Sequence, residues 1–282
     1  MNDFYSINEA INERAGRKLL PSIAVALIIF ALVFTTVSFA PVLFAVLVGI
    51  TVLLAIRELV RAYASGGIIL PKGILVLASV GVLCGAWFGK VSGLAVAIAI
   101  AIPNTIVYLL IRDQKDFIRR STSSAFAIFY IAFLAGFIIL LGHHHDAVKR
   151  ILILVLAVTC NDTFGYLVGL LFGRHKLAPH ISPKKSWEGL IGSLVACIVI
   201  LSLAMHFLFH ERWWVGALIG VMAVLTATSG DLIESAVKRD LSIKDMGSIL
   251  PGHGGILDRI DSVLFTGPAI WFALELIKHF QL

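Results

Sequence analysis

Acidic residues recur at a regular spacing in the polar stretch from Gly230 to Asp261. The stretch contains six acids: Asp231, Glu234, Asp240, Asp245, Asp258 and Asp261. Asp231 and Glu234 are three residues apart, and so are Asp258 and Asp261, so each pair shares one helix face if its segment is helical. Both pairs adjoin long apolar runs, where carboxylates are costly unless they are neutralised. Hard divalent cations such as Mg²⁺ prefer oxygen ligands, so we expect the two pairs to hold a metal ion.

Cations and glycines stand among these acids. Lys238 continues the helical spacing of Asp231 and Glu234, and Ser235 lies one turn from Asp231. Further along, Leu250 to Gly255 reads Leu-Pro-Gly-His-Gly-Gly, whose glycines allow a backbone to approach a ligand closely and to offer free N–H groups to an anion. A plain tight turn and a solvated charged loop are the alternatives. The neighbouring acids and cations favour phosphate binding; the cations are Lys238, Arg239, Lys244 and Arg259.

A second polar cluster begins within an apolar run. Asn161 and Asp162 interrupt this run, and an acid at such a position indicates a functional site, with an interhelical hydrogen bond as the alternative. The loop that follows supplies Arg174, His175, Lys176, Lys184, Lys185, Ser186 and Glu188. Its segment Ser182-Pro-Lys-Lys-Ser predicts a turn that offers cations and hydroxyl groups to phosphates.

Composition indicates the solvent in which these residues lie. Hydrophobic residues make up 59% of the chain and charged residues only 14%, whereas soluble domains carry about 25% charged residues. The chain therefore belongs in a bilayer. Its net charge of +6 suggests contact with anionic membrane lipids and gives no indication of nucleic acid. The three cysteines lie in apolar runs and fit no metal motif.

Nine apolar runs approach the length of about 20 residues that a spanning helix needs. They are Leu20–Ser38, Pro41–Ala62, Gly73–Gly89, Val91–Ile111, Ser124–Leu141, Ile151–Phe172, Leu190–Phe209, Trp213–Ser229 and Ile260–Phe280. The predicted fold is an all-α, polytopic transmembrane helical bundle of about nine spans. It forms one membrane domain over residues 1–282, with an N-terminal helical half (20–141) and a C-terminal half (151–282) that carries the motifs.

The positive residues predict the orientation of the bundle. If the N-terminus is cytoplasmic, the inside segments carry 18 Lys and Arg residues and the outside segments carry 5, which is the bias seen in membrane proteins. The two longest polar connections then face the cytoplasm, and we expect the site there, in the cell membrane. His143, His144 and His145 fall in an external loop, where a solvated loop is favoured over metal binding.

The polar positions together resemble a known family. Ser235-Ala-Val-Lys238-Arg239, then Lys244-Asp245, then Leu250-Pro-Gly-His253-Gly-Gly-Ile-Leu-Asp258-Arg259-Ile-Asp261 is similar to the signature of the phosphatidate cytidylyltransferases. Asn161-Asp162-Thr163 and Ser182-Pro-Lys-Lys-Ser-Trp-Glu188-Gly resemble the upstream motifs of that family. The resemblance extends from Asn161 to Phe280, and the N-terminal half shares only its apolar helices.

The resemblance implies an activity and a set of residues. The phosphate of phosphatidic acid would attack the α-phosphorus of CTP, giving CDP-diacylglycerol and pyrophosphate. Mg²⁺ is the expected cofactor, with a second cation and a homodimer left open. The expected catalytic residues are Asp162, Asp231, Lys238 and Asp258, and the expected metal ligands are Asp231, Glu234, Asp258 and Asp261. The expected substrate-binding residues are Lys184, Lys185, Ser186, Glu188, Ser235, Arg239, Lys244, His253, Gly254, Gly255 and Arg259.

Three other functions compete with this interpretation. A transporter or channel would spread its buried acids near the bilayer midplane, whereas these acids cluster with glycine-rich loops. A polyprenol or phytol kinase that uses CTP is a rival enzyme. A CDP-alcohol phosphotransferase is disfavoured because the sequence has no Asp-Gly-x2-Ala-Arg segment.

Overall fold

Long apolar helices make up most of the protein. The computed structural model describes residues 19–112, 114–247 and 254–280. In these residues eight helices occur: α1 Leu19–Phe39, α2 Pro41–Ser65, α3 Lys72–Arg112, α4 Phe117–Gly142, α5 Ala147–Phe172, α6 Trp187–Phe209, α7 Trp213–Asp240 and α8 Leu257–Phe280. Two short strands, β1 Lys176–Ala178 and β2 Ser182–Ser186, lie between α5 and α6. A helical membrane bundle is thus confirmed.

Seven helices in the described part of the chain, α2 to α8, are long and apolar enough to cross a membrane. The sequence predicts nine spans because it divides α3 at Lys90 and counts α1 in full. Lys90 does lie at a break, with φ 52° and ψ −137° inside the 41 residues of α3. A Cβ atom on Gly85 would lie 2.6 Å from the carbonyl oxygen of Gly93. The two halves of α3 therefore fold back on each other as a tight hairpin.

The helix α4 lies at the centre of the bundle. Two thirds of its most apolar stretch is buried, a larger share than in the other six candidate spans. A π-helical segment, Ile128–Phe133, interrupts it, as often happens near functional sites. Tyr130 in this segment is buried and donates a hydrogen bond of 3.4 Å to the carbonyl oxygen of Gly230 on α7.

Small residues bring the C-terminal helices close together. A Cβ on Gly220 of α7 would lie 2.8 Å from the backbone of Cys197 on α6, and one on Gly230 would lie 2.6 Å from the carbonyl oxygen of Asp261 on α8. Small side chains at helix crossings are the usual means of close packing in membranes. The contact between Gly230 and Asp261 fixes the two acid-bearing helices against each other.

Two sequence-based expectations need correction. Ser182–Ser186 is not an isolated turn, because it pairs antiparallel with Lys176–Ala178, with Lys176 opposite Ser186. The histidine segment is more than a solvated loop, because His144 pairs with Asp146 and the buried Arg150 bridges Asp146 and Glu275 at 2.7 and 2.6 Å. That network joins the start of α5 to the end of α8.

Candidate active site

Asp258 lies in the first turn of α8 with both carboxylate oxygens engaged. Its Oδ1 accepts a hydrogen bond of 2.8 Å from the ammonium group of Lys238, which also pairs with Glu234 one turn earlier on α7. Glu234 is 1% exposed, and the side chains of Lys238 and Asp258 are 15% and 9% exposed. The helix that the spacing of Asp231, Glu234 and Lys238 predicts is present, and it directs Lys238 towards α8.

The second oxygen of Asp258 is held by backbone. Its Oδ2 accepts hydrogen bonds from the N–H groups of Gly255 and Met246, at 2.8 and 3.0 Å. Gly254 has a φ of +80°, a conformation that glycine adopts without steric cost. The predicted glycine-rich turn thus folds its described end around a carboxylate of the protein itself.

Asp231 connects α7 to the strand pair. Its Oδ2 lies 2.9 Å from the ammonium nitrogen of Lys185 on β2, and its Oδ1 accepts a hydrogen bond of 3.2 Å from Ser235. Arg239 makes a second link, donating from Nε to the carbonyl oxygen of Ile181 at 3.2 Å. The strand pair is therefore fastened beside the last three turns of α7.

Asp162 extends the cluster deeper along α5. Its side chain is accessible from outside the protein, and Asp231, Lys185 and Arg259 are the charged groups near it. The side chains of Asp231 and Lys185 are 32% and 24% exposed, so these groups border an opening and not a packed core. Asp162 lies ten residues before the end of α5, which is about 15 Å along the helix axis. The polar cluster therefore extends at least this far along α5.

Neighbouring residues fix Asp162 and the helix that carries it. The side-chain NH₂ group of Asn161 donates to Asp162 Oδ1 at 3.1 Å. The backbone carbonyl oxygen of Asn161 accepts a hydrogen bond from Ser193 on α6, and its side-chain Oδ1 accepts one from Thr228 on α7. The predicted alternative, an interhelical hydrogen bond, thus falls to Asn161. The side chain of Asp162 remains accessible.

The charge balance of the cluster favours a cation. Carboxylates outnumber cations among the described residues whose contacts lie here; the acids are Glu58, Asp162, Asp231, Glu234, Asp245, Asp258 and Asp261, and the cations are Lys185, Lys238, Arg239 and Arg259. Oε1 of Glu234 is buried and has no hydrogen-bond partner. Buried acids with an unpartnered oxygen suit a hard divalent cation, which binds oxygen ligands. The oxygen donors present therefore have the chemistry that Mg²⁺ binds, although in the described residues no three of these acids bring their ligand atoms within 4.8 Å of one another.

The remaining predicted binding residues have varied surroundings. Glu188 accepts hydrogen bonds from the backbone N–H groups of Arg174 and His175, at 3.1 and 3.2 Å, and pairs with the His175 ring. Ser186 caps α6 by accepting from the N–H of Gly189. These two therefore shape the hairpin. Three predicted cations are exposed: Lys184, Lys244 and Arg259. His253 lies outside the described residues.

Sequence reasoning missed one acid, Glu58 on α2. Glu58 is 1% exposed, and its Oε2 accepts a hydrogen bond of 2.9 Å from the N–H of Leu257 at the start of α8. An acid inside an apolar run is a signal in itself, but its position in the N-terminal half separates it from the other acids by more than a hundred residues.

A second group of possible metal ligands lies at the other ends of α5 and α8. His144, His145 and Asp146 bring their ligand atoms within 4.8 Å of one another. Burial and the nearby Arg150 lower the pKa of His144, and the hydrogen bond from Arg150 lowers the pKa of Asp146 despite its partial burial. Because the Arg150 guanidinium already pairs with the Asp146 carboxylate, we interpret this group as an ion-pair network and not as a metal site.

Comparison with known proteins gives a consistent result. Residues 21–277 match the family described as "Cytidylyltransferase family". The chain is 38% identical to the phosphatidate cytidylyltransferase of Mycobacterium leprae over 280 residues, covering 94% of this chain and 90% of that protein. It is 35% identical to the protein of the same name from Mycobacterium tuberculosis strain H37Rv, covering 94% and 84%, and 33% identical to the one from Staphylococcus saprophyticus, covering 87% and 94%.

The match spans nearly the whole chain, including the apolar N-terminal half that shows no local motif. On this ground, together with the cluster of acids and lysines at the ends of α7 and α8, the chain belongs to the cytidylyltransferase family.

Proposed function

We propose that this protein is a membrane nucleotidyltransferase that makes CDP-diacylglycerol and pyrophosphate from CTP and phosphatidic acid. Curated relatives that cover nearly the whole chain carry the name phosphatidate cytidylyltransferase. The observation that carries the proposal is the convergence of Lys185 with Asp231 and of Lys238 with Asp258, from the hairpin and two helices, beside one opening.

The reaction exchanges one phosphoanhydride bond for another. An oxygen of the lipid phosphate attacks the α-phosphorus of CTP, and the bond from that phosphorus to the β-bridging oxygen breaks, so that pyrophosphate leaves with its electron pair. A phosphate monoester is already an anion at neutral pH, so no side chain is needed as a general base. Such a transfer depends mainly on positioning and on neutralised charge.

The lysines suit the neutralisation. Lys238 is held between Glu234 and Asp258, and Lys185 is held by Asp231, so both ammonium groups are oriented before a substrate arrives. A preorganised cation stabilises charge that develops in the transition state without the cost of reorganisation. We assign Lys238 to the α-phosphate of CTP, which is transferred with the nucleoside. Lys185, with the exposed Lys184 and Lys244, is assigned to the β- and γ-phosphates.

The acids are the proposed Mg²⁺ ligands. Asp231 and Asp258 would hold the ion, with Glu234 and Asp261 close by. Bound Mg²⁺ would supply Lewis-acid stabilisation of phosphate oxygens. The excess of carboxylates over cations supports this assignment, and it leaves room for a second cation.

The lipid substrate must reach the site from the bilayer. An open apolar groove of about 670 Å³ lies between α5 and α6. It is lined by Phe164, Val168, Ile191, Val195 and Val199 among others. Glu188, which holds the strand pair, also lines this groove, and we infer that the groove takes an acyl chain of phosphatidic acid.

Nine spans with a cytoplasmic N-terminus remain the proposed topology. The halves of α3 form a hairpin around Lys90, and 41 residues of helix would extend about 60 Å, twice the hydrocarbon thickness. Two spans therefore fit α3 better than one, and α1 supplies the ninth. The resulting cytoplasmic position of the strand pair suits CTP, a cytosolic nucleotide.

Purified protein with labelled CTP, phosphatidic acid and Mg²⁺ should yield CDP-diacylglycerol and pyrophosphate in equal amounts. Omitting phosphatidic acid is the control. Transfer of phosphate from CTP to a polyprenol or phytol, or the absence of any product together with ion flux in vesicles, would replace this function with one of its rivals.

Asp231→Asn and Asp258→Asn should each reduce kcat by about 100-fold or more, since the amide keeps the shape but loses the charge that offsets bound cations. The matched control is Asp240→Asn, because Asp240 is exposed at the end of α7. Near-normal kcat at saturating Mg²⁺ in either variant would remove that residue from the metal site.

Lys238→Gln should lower kcat and kcat/KM together by roughly 10- to 100-fold, since a charge-assisted contact contributes about 1.5–3 kcal/mol. The loss of activity in Arg239→Gln should be smaller, because Arg239 is exposed and its described hydrogen bond goes to the backbone carbonyl of Ile181. Steady-state kinetics with the reverse ranking would contradict the role given to Lys238.

Single cysteines should report the topology in a background without Cys84, Cys160 and Cys197. A cysteine at Lys184 should resist an impermeant thiol reagent added to intact cells, whereas one at His145, at the other end of α5, should react. Both positions are exposed, so accessibility does not limit labelling. Reaction at position 184 from outside would overturn the proposed orientation.

A further inference from the structure

Glu58 is an acidic side chain buried in the N-terminal half of the chain, outside the region of the family motifs. It is 1% exposed and lies seven residues before the end of α2, which is about 10 Å along the helix axis. An acid at this depth is costly unless its surroundings stabilise it. The contacts of Glu58 therefore indicate its role.

The hydrogen-bond partner of Glu58 is the first residue of α8. Oε2 accepts the N–H of Leu257 at 2.9 Å. The first N–H groups of a helix have no partner within the helix and form the positive end of its dipole, so a carboxylate there stabilises the helix start. Leu257 directly precedes Asp258, so this bond holds the backbone from which the Asp258 side chain extends.

Two glycines enclose the same carboxylate. A Cβ atom on Gly255 would lie 2.6 Å from Glu58 Oε2 and 2.8 Å from the nitrogen of Gly247. On Gly247, the three nearest atoms that a Cβ would meet all belong to the Glu58 side chain, including Cγ at 2.8 Å. Neither glycine has a positive φ. The room taken by Glu58 is thus what requires glycine at position 247, and Glu58 together with the Gly247 backbone requires it at position 255.

These contacts converge on Asp258. Gly255, which packs on Glu58, donates its N–H to Asp258 Oδ2, and so does Met246, the neighbour of Gly247. Glu58 therefore touches or adjoins both described backbone segments that hold this oxygen. Its own Oε1 is buried without a hydrogen-bond partner among the described residues, so no lysine or arginine in that part of the chain pairs with this oxygen.

We propose that Glu58 is a positioning residue that fixes the Asp258 carboxylate by holding the start of α8 together with Gly247 and Gly255. The importance of Asp258 itself rests on the proposed function. The N-terminal half then contributes directly to the geometry of the active site, in addition to enclosing it. A buried glutamate that contributes only to folding is the alternative that the experiment must separate.

A double-mutant cycle tests the proposal. Glu58→Ala and Gly247→Ala should each lower kcat by about 10- to 100-fold while KM for CTP changes by less than about threefold. Glu58→Ala/Gly247→Ala should be no worse than Glu58→Ala, because the added methyl group then occupies vacated space and the two losses are not additive. The matched control is Gly73→Ala, since a Cβ there meets nothing within 4 Å. Additive losses, or full kcat in folded Glu58→Ala, would overturn the proposal.

Hydrogen exchange supplies a readout that does not depend on activity. Peptides covering residues 254–258 should exchange faster in Glu58→Ala and in Gly247→Ala, with α5 and α6 unchanged, and Glu58→Gln, which keeps an acceptor for Leu257, should restore most of the protection. Unchanged exchange at 254–258 would overturn the proposal even if the wild type forms no CDP-diacylglycerol, a result that refutes only the proposed function. If Glu58→Ala does not fold, Gly247→Ala carries the same expectation.

Discussion

Neutralising buried carboxylates is the constraint on which the rest of this structure depends. Asp231 and Asp258 lie where helices enter an apolar medium, and an unpaired charge there is costly. The protein offsets them with lysines and with backbone N–H groups, so that Lys185 and Lys238 are fixed by the acids that they neutralise. The same pairing holds α7 against α8 and the strand pair against α7. The contacts that form the site therefore also join the helices and strands of the C-terminal half.

Much of the fold was predictable, because a spanning helix satisfies its own backbone hydrogen bonds and needs only a long apolar run. The helical spacing of Asp231, Glu234 and Lys238 likewise depends on local sequence, and so does the break that Lys90 marks in α3. The strand pair was not predictable. Lys-Leu-Ala and Ser-Pro-Lys-Lys-Ser lack the alternation of a strand, and their pairing depends on anchors outside the hairpin, such as Asp231 and Arg239.

The candidate site was predictable only where its residues lie close in sequence. Asp231, Asp258 and Lys238 belong to one stretch of charged residues, and spacing alone connects them. Glu58 does not belong to this stretch, because the hydrogen bond that it accepts from Leu257 joins residues 199 positions apart. The structural roles of Ser186 and Glu188, which cap α6 and hold the hairpin, also depend on contacts that sequence does not reveal. Long-range contacts thus supply what a motif leaves out, namely the parts that hold its residues still.

The extent of the polar cluster along α5 explains why these long-range contacts matter. Asp162 lies about 15 Å from the end of α5, so the polar cluster extends well away from the helix ends. A lipid headgroup and a nucleotide bound at this cluster would meet beside two almost fully buried acids, Glu234 and Asp261. In such surroundings each fixed charge acts more strongly than in water, but a displaced charge is also more harmful. A site of this kind must be rigid, and the glycines packed around Glu58 at the start of α8 provide that rigidity.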